Sequence, residues 1–357
     1  MKILFFTRRF YPLIGGVEKH CLEIGKCLVA QGHVLAVVTE IPNQNSKIQI
    51  QNFKSKETYE GINIYRIPIT TGEKLKKFQI WRWLLNHRKL IKEADVVHCH
   101  DVFFWYLPFR FLYPKKKVFT TFHGWEGIYP PRWQAKIIRK ISEKLSFGNV
   151  CVGNYIEKWY GTKADFVTYG GVGIVQSSKP CLLAGRFKAQ SNSSKSKILF
   201  VGRLEKDTGL PIYLKTLAIL RDRVEAKFVG DGSLRKEAEK YGTVLGFVED
   251  VNKQMQESDF VFTSGYLSIL EAMINKKLVF SVYDNPLKED YLKMAPFGQW
   301  IVIEKNPEKL AMKVKYYLEN PSEEKKMIKE GYNWAREQNW EKLTQEYLKL
   351  WRFKDKQ

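Results

Sequence analysis

A chain of 357 residues with 44% hydrophobic and 14% aromatic content is too long for one ordinary core and too apolar for disorder, so two globular domains are expected. Its net charge of +21 is uneven: residues 1–180 hold 28 Lys and Arg against 13 Asp and Glu, a net +15, whereas 181–357 hold 31 against 25, a net +6. A basic first half calls for an anionic partner, whether nucleic acid, a membrane surface or a phosphorylated ligand.

The apolar start, Ile3-Leu4-Phe5-Phe6, gives way at once to Thr7-Arg8-Arg9. It falls short of the roughly 7–15 apolar residues of a signal h-region and reads as a buried strand. No run approaches the roughly 18 apolar residues of a membrane span. Five scattered cysteines, Cys21, Cys27, Cys99, Cys151 and Cys181, contain no C-x-x-C pair. They suggest reduced thiols in a cytoplasmic protein rather than a disulfide framework.

In chain order, the first half alternates short apolar runs with amphipathic stretches. Strands are expected at 2–7, 34–39, 62–67, 96–99, 118–122, 150–152 and 166–169, with helices at 17–31, 73–93 and 133–145 among those between them. Continuous Val, Ile and Phe runs joined by helices make a parallel sheet covered on both faces. Residues 176–196 are polar and Ser-rich, as a linker should be. The alternation then restarts, with strands at 198–201, 226–229, 244–247, 260–263, 278–282 and 300–303. Helices are expected at about 209–222, 232–240, 249–257, 268–276 and 306–319, and after Pro321 the chain reads as helical to its end. The fold class is α/β, two Rossmann-like doubly wound domains, with ligands at the carboxyl ends of the strands. The domains are 1–175 and 197–335, joined by the linker, with a terminal helix over 336–357.

Four segments carry a chemical signal, each with a plainer alternative. Gly15-Gly16-Val17-Glu18 follows the first strand: paired glycines let a ligand approach, and the next helix N-terminus offers N–H groups to phosphate. It also reads as an ordinary turn, and it is not the G-x-G-x-x-G of a dinucleotide cofactor. Arg203, in Val201-Gly202-Arg203-Leu204, ends a strand where a guanidinium would suit phosphate oxygens. A surface arginine is the alternative. Thr263-Ser264-Gly265-Tyr266-Leu267-Ser268-Ile269-Leu270-Glu271 passes from strand to helix, and Glu271 in a first turn could take two ribose hydroxyls. Ser268-x-x-Glu271 equally matches a capping box. His123, in Thr121-Phe122-His123-Gly124, ends another strand, where imidazole can donate to a sugar hydroxyl or simply be structural. His98-Cys99-His100-Asp101 matches no standard zinc spacing, and adjacent strand residues face apart, so no metal is assigned. Gly230-Asp231-Gly232 reads as a ligand contact or a tight turn.

This ordered set, with Asp95-Val96-Val97-His98, Val229-Gly230-Asp231-Gly232 and Leu270-Glu271-Ala272-Met273, resembles the family-4 retaining glycosyltransferases of GT-B fold, over nearly the whole chain. The resemblance implies two Rossmann-like domains facing across a cleft, with the last helix crossing back onto the first. It implies a nucleotide-diphosphate sugar as donor, UDP- or GDP-linked, no cofactor and no metal. Gly15 and Gly16 would approach the diphosphate, and Arg203, with Lys206 nearby, would bind it. His123 would contact the transferred sugar. Glu271, beside Tyr266, Leu267 and Ser268, would hold the ribose, with the base near Gly246 and Phe247. The donor's own phosphate would help deprotonate a glycan or lipid-linked acceptor. Three positions depart from the pattern. Thr263 stands for a usual Glu, Thr208 for a usual Lys, and Tyr169-Gly170-Gly171-Val172-Gly173 for a usual Asn-Gly-Val-Asp. They suit a divergent branch with altered donor handling, and equally an inactive relative that binds without catalysing.

The basic first half has one more pattern. Lys74, Lys76, Lys77, Arg82, Arg88 and Lys89 alternate with Leu75, Phe78, Trp81, Leu84 and Leu85, and the segments 103–117 and 132–144 repeat the combination. Aromatic and cationic residues together suit a bilayer interface, at about 1 kcal/mol per basic residue near an anionic surface. The alternative is helices packed on the sheet with solvated Lys rims. A basic nucleic-acid-binding protein is a further reading, but no base-stacking or reading motif supports it, so no nucleic acid is expected.

Overall fold

The computed structural model describes residues 1–13, 15–41, 53–70, 72–124, 127–173 and 195–353. Apart from residues 195 and 196, the expected linker lies outside them, as does Cys181. The chain divides into two compact units: Met1–Thr168 with the chain from Trp340 onward, and Tyr169–Asn339.

The first unit runs β1 (Lys2–Thr7), α1 (Gly16–Ala30), β2 (Val34–Glu40), β3 (Lys56–Tyr59), β4 (Ile62–Ile67), α2 (Glu73–Asn86), α3 (Arg88–Glu93) and β5 (Val96–His100). It continues through α4 (Phe103–Leu112), β6 (Lys117–Phe122), α5 (Trp133–Leu145), β7 (Gly148–Val152), α6 (Tyr155–Tyr160) and β8 (Phe166–Thr168). The eight strands lie in the order β3-β4-β2-β1-β5-β6-β7-β8. All pair in parallel except β3, which runs antiparallel to β4. That edge strand has no clear sequence signal, because Lys56-Glu57-Thr58-Tyr59 is polar and its burial only partial.

Strand alternation sorts the side chains of β5. Val97 and Cys99 join the core under α2 and α4, with Leu4, Phe6, Ile80, Leu84, Phe103, Tyr106 and Phe109. His98 and His100 face the other way.

The second unit runs β9 (Ser196–Val201), a 3-10 turn at Lys206–Thr208, α7 (Leu210–Leu220), β10 (Val224–Val229), α8 (Arg235–Ala238), β11 (Gly242–Gly246), α9 (Val251–Gln256) and β12 (Phe260–Phe262). Then come α10 (Tyr266–Ile274), β13 (Leu278–Val282), α11 (Pro286–Lys293), β14 (Val302–Glu304), α12 (Pro307–Glu319) and α13 (Pro321–Ala335). Its six strands are ordered β11-β10-β9-β12-β13-β14, all parallel. Phe200, Phe228, Phe260, Phe262 and Phe280 fill the core with Leu210, Tyr213 and Leu217 from α7. A fully buried Phe or Leu contributes about 1.5–3 kcal/mol of transfer free energy.

Tyr169–Val172 belong with the second unit, not with the first as a boundary at 175 would have it. The Tyr169 ring packs edge-on against Phe297, and Val172 pairs with Asn339. The tail is not one helix: α13 ends near Ala335, and a last helix, α14 (Trp340–Phe353), packs against α1 within the first unit. Among the described residues, no helix is long and apolar enough to cross a membrane. Cys21, Cys27, Cys99 and Cys151 are free thiols.

Candidate functional site

In a doubly wound sheet, ligands gather where strand order reverses, at the carboxyl ends of the strands. In the first unit that point is β1, flanked by β2 and β5. The chain leaving β1 reaches Gly15 in an extended conformation, φ −176°, and α1 begins at Gly16 with no side chain capping it. The N–H groups of its first turn therefore point outward, with the positive end of the helix dipole behind them. A Cβ on Gly15 would collide with the Glu18 carboxylate, whereas one on Gly16 would meet nothing within 4 Å. Gly16 is the place where a ligand can approach the backbone.

Beside this loop stand four histidines. His98 and His100 end β5, His123 follows β6, and His20 comes from α1. His20, His98 and His100 are buried. Burial holds His20, His98 and His100 well below the usual imidazole range, with their neighbours' charges adding to it. His123 is lowered to about 3, by burial first and by the Arg139 guanidinium second. All four are neutral near pH 7. His100 Nδ1 and His123 Nε2 are hydrogen-bonded at 2.9 Å. The His123 backbone N–H donates to Asp101 Oδ1 at 2.9 Å, and Asp101 holds a left-handed φ of 61°. The His98–Asp101 run is therefore split in function: Cys99 is core, and Asp101 positions the loop of His123.

His20, missed in the sequence, joins His100 and His123, with one ring nitrogen of each within 4.8 Å of the others. Of the described residues, only these three could together hold a metal ion. His100 Nε2 is buried without a partner, an unmet group that a ligand hydroxyl would satisfy.

The C-terminal helix completes this half-site. Trp351 Nε1 donates to His98 Nδ1 at 3.1 Å; an indole N–H can only donate, so the His98 proton sits on Nε2. His98 Nε2 then donates to Thr121 Oγ1 at 2.7 Å. The Thr121 hydroxyl bonds Tyr347 Oη at 2.9 Å, and Tyr347 Oη bonds His20 Nε2 at 2.9 Å. Tyr347 and Trp351 left no motif, because α14 reads from sequence as a plain amphipathic helix.

In the second unit the order reverses at β9, between β10 and β12. Arg203 leaves this strand with its side chain 65% exposed, ion-paired to Asp207 at 2.7 Å. Lys206 is exposed in the 3-10 turn that follows. Thr208, where the resemblance puts a Lys, instead closes that turn: its Oγ1 donates to the carbonyl of Arg203 or Glu205, at 3.0 and 2.7 Å. A cation does lie under the turn. Lys288 of α11 is buried, donates to the Asp207 carbonyl at 2.7 Å and is lowered to about 8 by burial. Sequence reasoning passed over α11 because it is short and half of its residues are charged.

The third segment needs two corrections. The helix α10 begins at Tyr266, behind Gly265, with no side-chain cap. Ser268 is thus its third residue, so the capping box does not form, and Glu271 lies in the second turn, not the first. Tyr266 is locked by Tyr291: its N–H donates to Tyr291 Oη at 3.0 Å, and the rings stack at 3.9 Å. Its N–H is therefore taken. Leu267 and Ser268 are half-buried beside it. Thr263, standing for the usual Glu, is buried with its Oγ1 unpartnered. Gly246 closes β11 at φ 71°, and Phe247 beyond it is half exposed. Gly230 and Gly232 serve packing, since Cβ atoms there would strike the carbonyls of Gly202 and Leu204.

Residues 14–163 match the model of Glycosyltransferase Family 4, and 184–334 that of Glycosyl transferases group 1. An uncharacterized glycosyltransferase of Methanocaldococcus jannaschii is 26% identical, over 94% of this chain and 95% of that one. The fold is similar to that of sucrose-phosphate synthase from Thermosynechococcus elongatus, with TM-score 0.76, 14% identity and 98% of each chain covered. It is also similar to that of Anabaena HepE, solved in complex with UDP and glucose, with TM-score 0.73, 15% identity and 98% of each chain covered.

Two Rossmann-like units, each built on a parallel sheet, define the GT-B fold. Within that class, the chain belongs to the family-4 glycosyltransferases, as a divergent member.

Proposed function

We propose that the chain transfers a sugar from a nucleotide-diphosphate donor to a glycan or lipid-linked acceptor, with retention of configuration and without a metal ion. The observation that carries this reading is Arg203, an exposed guanidinium at the switch point of the second sheet. The UDP and glucose held by Anabaena HepE support a nucleotide sugar as donor.

In this reading the second unit takes the nucleotide. Arg203 swings from Asp207 to the diphosphate, Lys206 assists, Glu271 accepts from the ribose hydroxyls, and Phe247 lies beside the base. In the first unit, neutral His123 and His100 bond sugar hydroxyls, and the N–H groups at Gly16 with the dipole of α1 attract an anionic group. Arg203, Lys206 and the helix terminus supply the positive charge that a metal provides in other phosphate sites. As the sugar–phosphate bond breaks, the released phosphate takes the acceptor's proton on the same face, so no protein nucleophile is needed. The free thiols support a reducing, cytoplasmic setting.

The test is to incubate the protein with UDP-, GDP- and ADP-linked sugars and candidate acceptors in EDTA, following the anomeric proton by NMR. Product of the donor's own configuration is expected. An inverted product, or turnover abolished by EDTA, contradicts the proposal.

A further inference from the structure

The helix α5 is built inside out. Its two buried positions are polar, Arg139 and Ser142. Leu145, at its end, packs against the core, and the larger apolar residues before it face away: Trp133 is 67% exposed, Ile137 48%, Ile138 50% and Ile141 45%. At about 100° per residue these four fall in an outward arc of roughly 140°, which also holds Gln134 and Lys144. Beside it run Lys136 and Lys140, and Arg132 precedes the helix. The one acid of α5, Glu143, is paired with Lys140 at 2.8 Å. The helix α4 meets the C-terminal end of α5, its Arg110 Nε donating to the Leu145 carbonyl at 2.9 Å. There Phe111 is 71% exposed and Leu112 56%, with Lys115 exposed close behind.

We propose that this face of α5, with the end of α4, docks the protein on an anionic lipid bilayer. A patch joining an indole, three isoleucines and flanking lysines matches the two layers of a membrane surface. Apolar side chains enter the acyl boundary while cations stay at the headgroups. Charge selects among occupants. Two copies, each at +21, repel when this basic face meets itself, and nucleic acid offers no apolar layer for Ile137 and Ile141. This surface does not depend on the donor reading, since vesicle binding and nucleotide binding fail separately.

The test is co-sedimentation of the full chain with vesicles of phosphatidylcholine alone or mixed with phosphatidylglycerol, at low and high salt. Wild type binds the mixed vesicles and releases at high salt. Ile137→Gln with Ile141→Gln weakens binding at least tenfold, and so does Lys136→Gln with Lys144→Gln. Both variants keep the wild-type melting temperature, because the residues changed are exposed. Wild type that ignores the mixed vesicles overturns the proposal, as does an isoleucine variant that binds them normally. A wild-type dimer in solution that the isoleucine variant dissolves overturns it too, by assigning the face to a second copy.

Discussion

Tyr347 Oη lies 2.9 Å from His20 Nε2, joining residues 327 apart in the chain. The indole of Trp351 fixes the proton of His98 on Nε2, which donates to Thr121 Oγ1. Thr121 Oγ1 in turn shares a hydrogen bond with Tyr347 Oη. The C-terminal helix thus ties His98 and His20 into one buried network.

Tyr347→Phe is expected to leave Thr121 Oγ1 and His20 Nε2 without a shared partner in a buried setting. A loss of about 1–3 kcal/mol in unfolding free energy follows, measurable by urea denaturation. Long-range ¹⁵N spectra of the histidines should show the His20 Nε2 resonance shifting as it loses this partner. A variant as stable as wild type with an unchanged His20 spectrum would refute the buried contact.

The four lowered histidines give stability a pH dependence of definite sign. A histidine held neutral in the folded state and free to protonate when unfolded contributes stability that is fully present above the unfolded pKa, about 6.5, and is lost as pH falls below it. Each group contributes a slope of up to about 1.4 kcal/mol per pH unit. The urea midpoint should drop between pH 7.5 and pH 5.5, before most carboxylates titrate, and His98→Asn should flatten the drop. A midpoint independent of pH over that range would contradict neutral burial.

Thr263 separates divergence from simple loss. Its hydroxyl is buried without a partner, so Thr263→Val should be neutral or stabilise by about 1 kcal/mol. Restoring the family residue, Thr263→Glu, would bury a carboxylate and should lower the melting temperature by several degrees. Thermal scans of both variants decide this. A stable, more active Thr263→Glu would mean that the pocket still fits the original residue.

Two glycines make opposite predictions. Gly16→Ala meets open space and should keep stability within about 0.5 kcal/mol, yet reduce kcat/KM at least tenfold by obstructing the donor. Gly230→Ala sets a Cβ against the Gly202 carbonyl at φ 128° and should cost more than about 2 kcal/mol. Paired melting and rate measurements separate a site glycine from a packing glycine.

Most strands and the doubly wound class were legible, because buried parallel strands are written as continuous Val, Ile and Phe runs. That Arg203 and His123 follow strand ends was legible from the apolar runs before them. His20, Tyr347 and Trp351 were not, since their meaning arises only when α1, β5 and α14 pack together. The capping-box reading failed through a local ambiguity: Gly265 caps α10 with backbone alone, so the helix begins before Ser268. The polar edge strand β3 lacked any hydrophobic period, and in α11 only Leu287, Tyr291 and Leu292 carry one, over eight residues.

The most direct measurement is a calorimetric titration of the protein with UDP, GDP and ADP, beside an Arg203→Ala variant of unchanged melting temperature. One nucleotide should bind tightly, and the substitution should weaken it at least tenfold, about 1.4 kcal/mol. Binding unaffected by the substitution, or no binding of any of the three, would contradict the assignment of the second unit's switch point as the donor site.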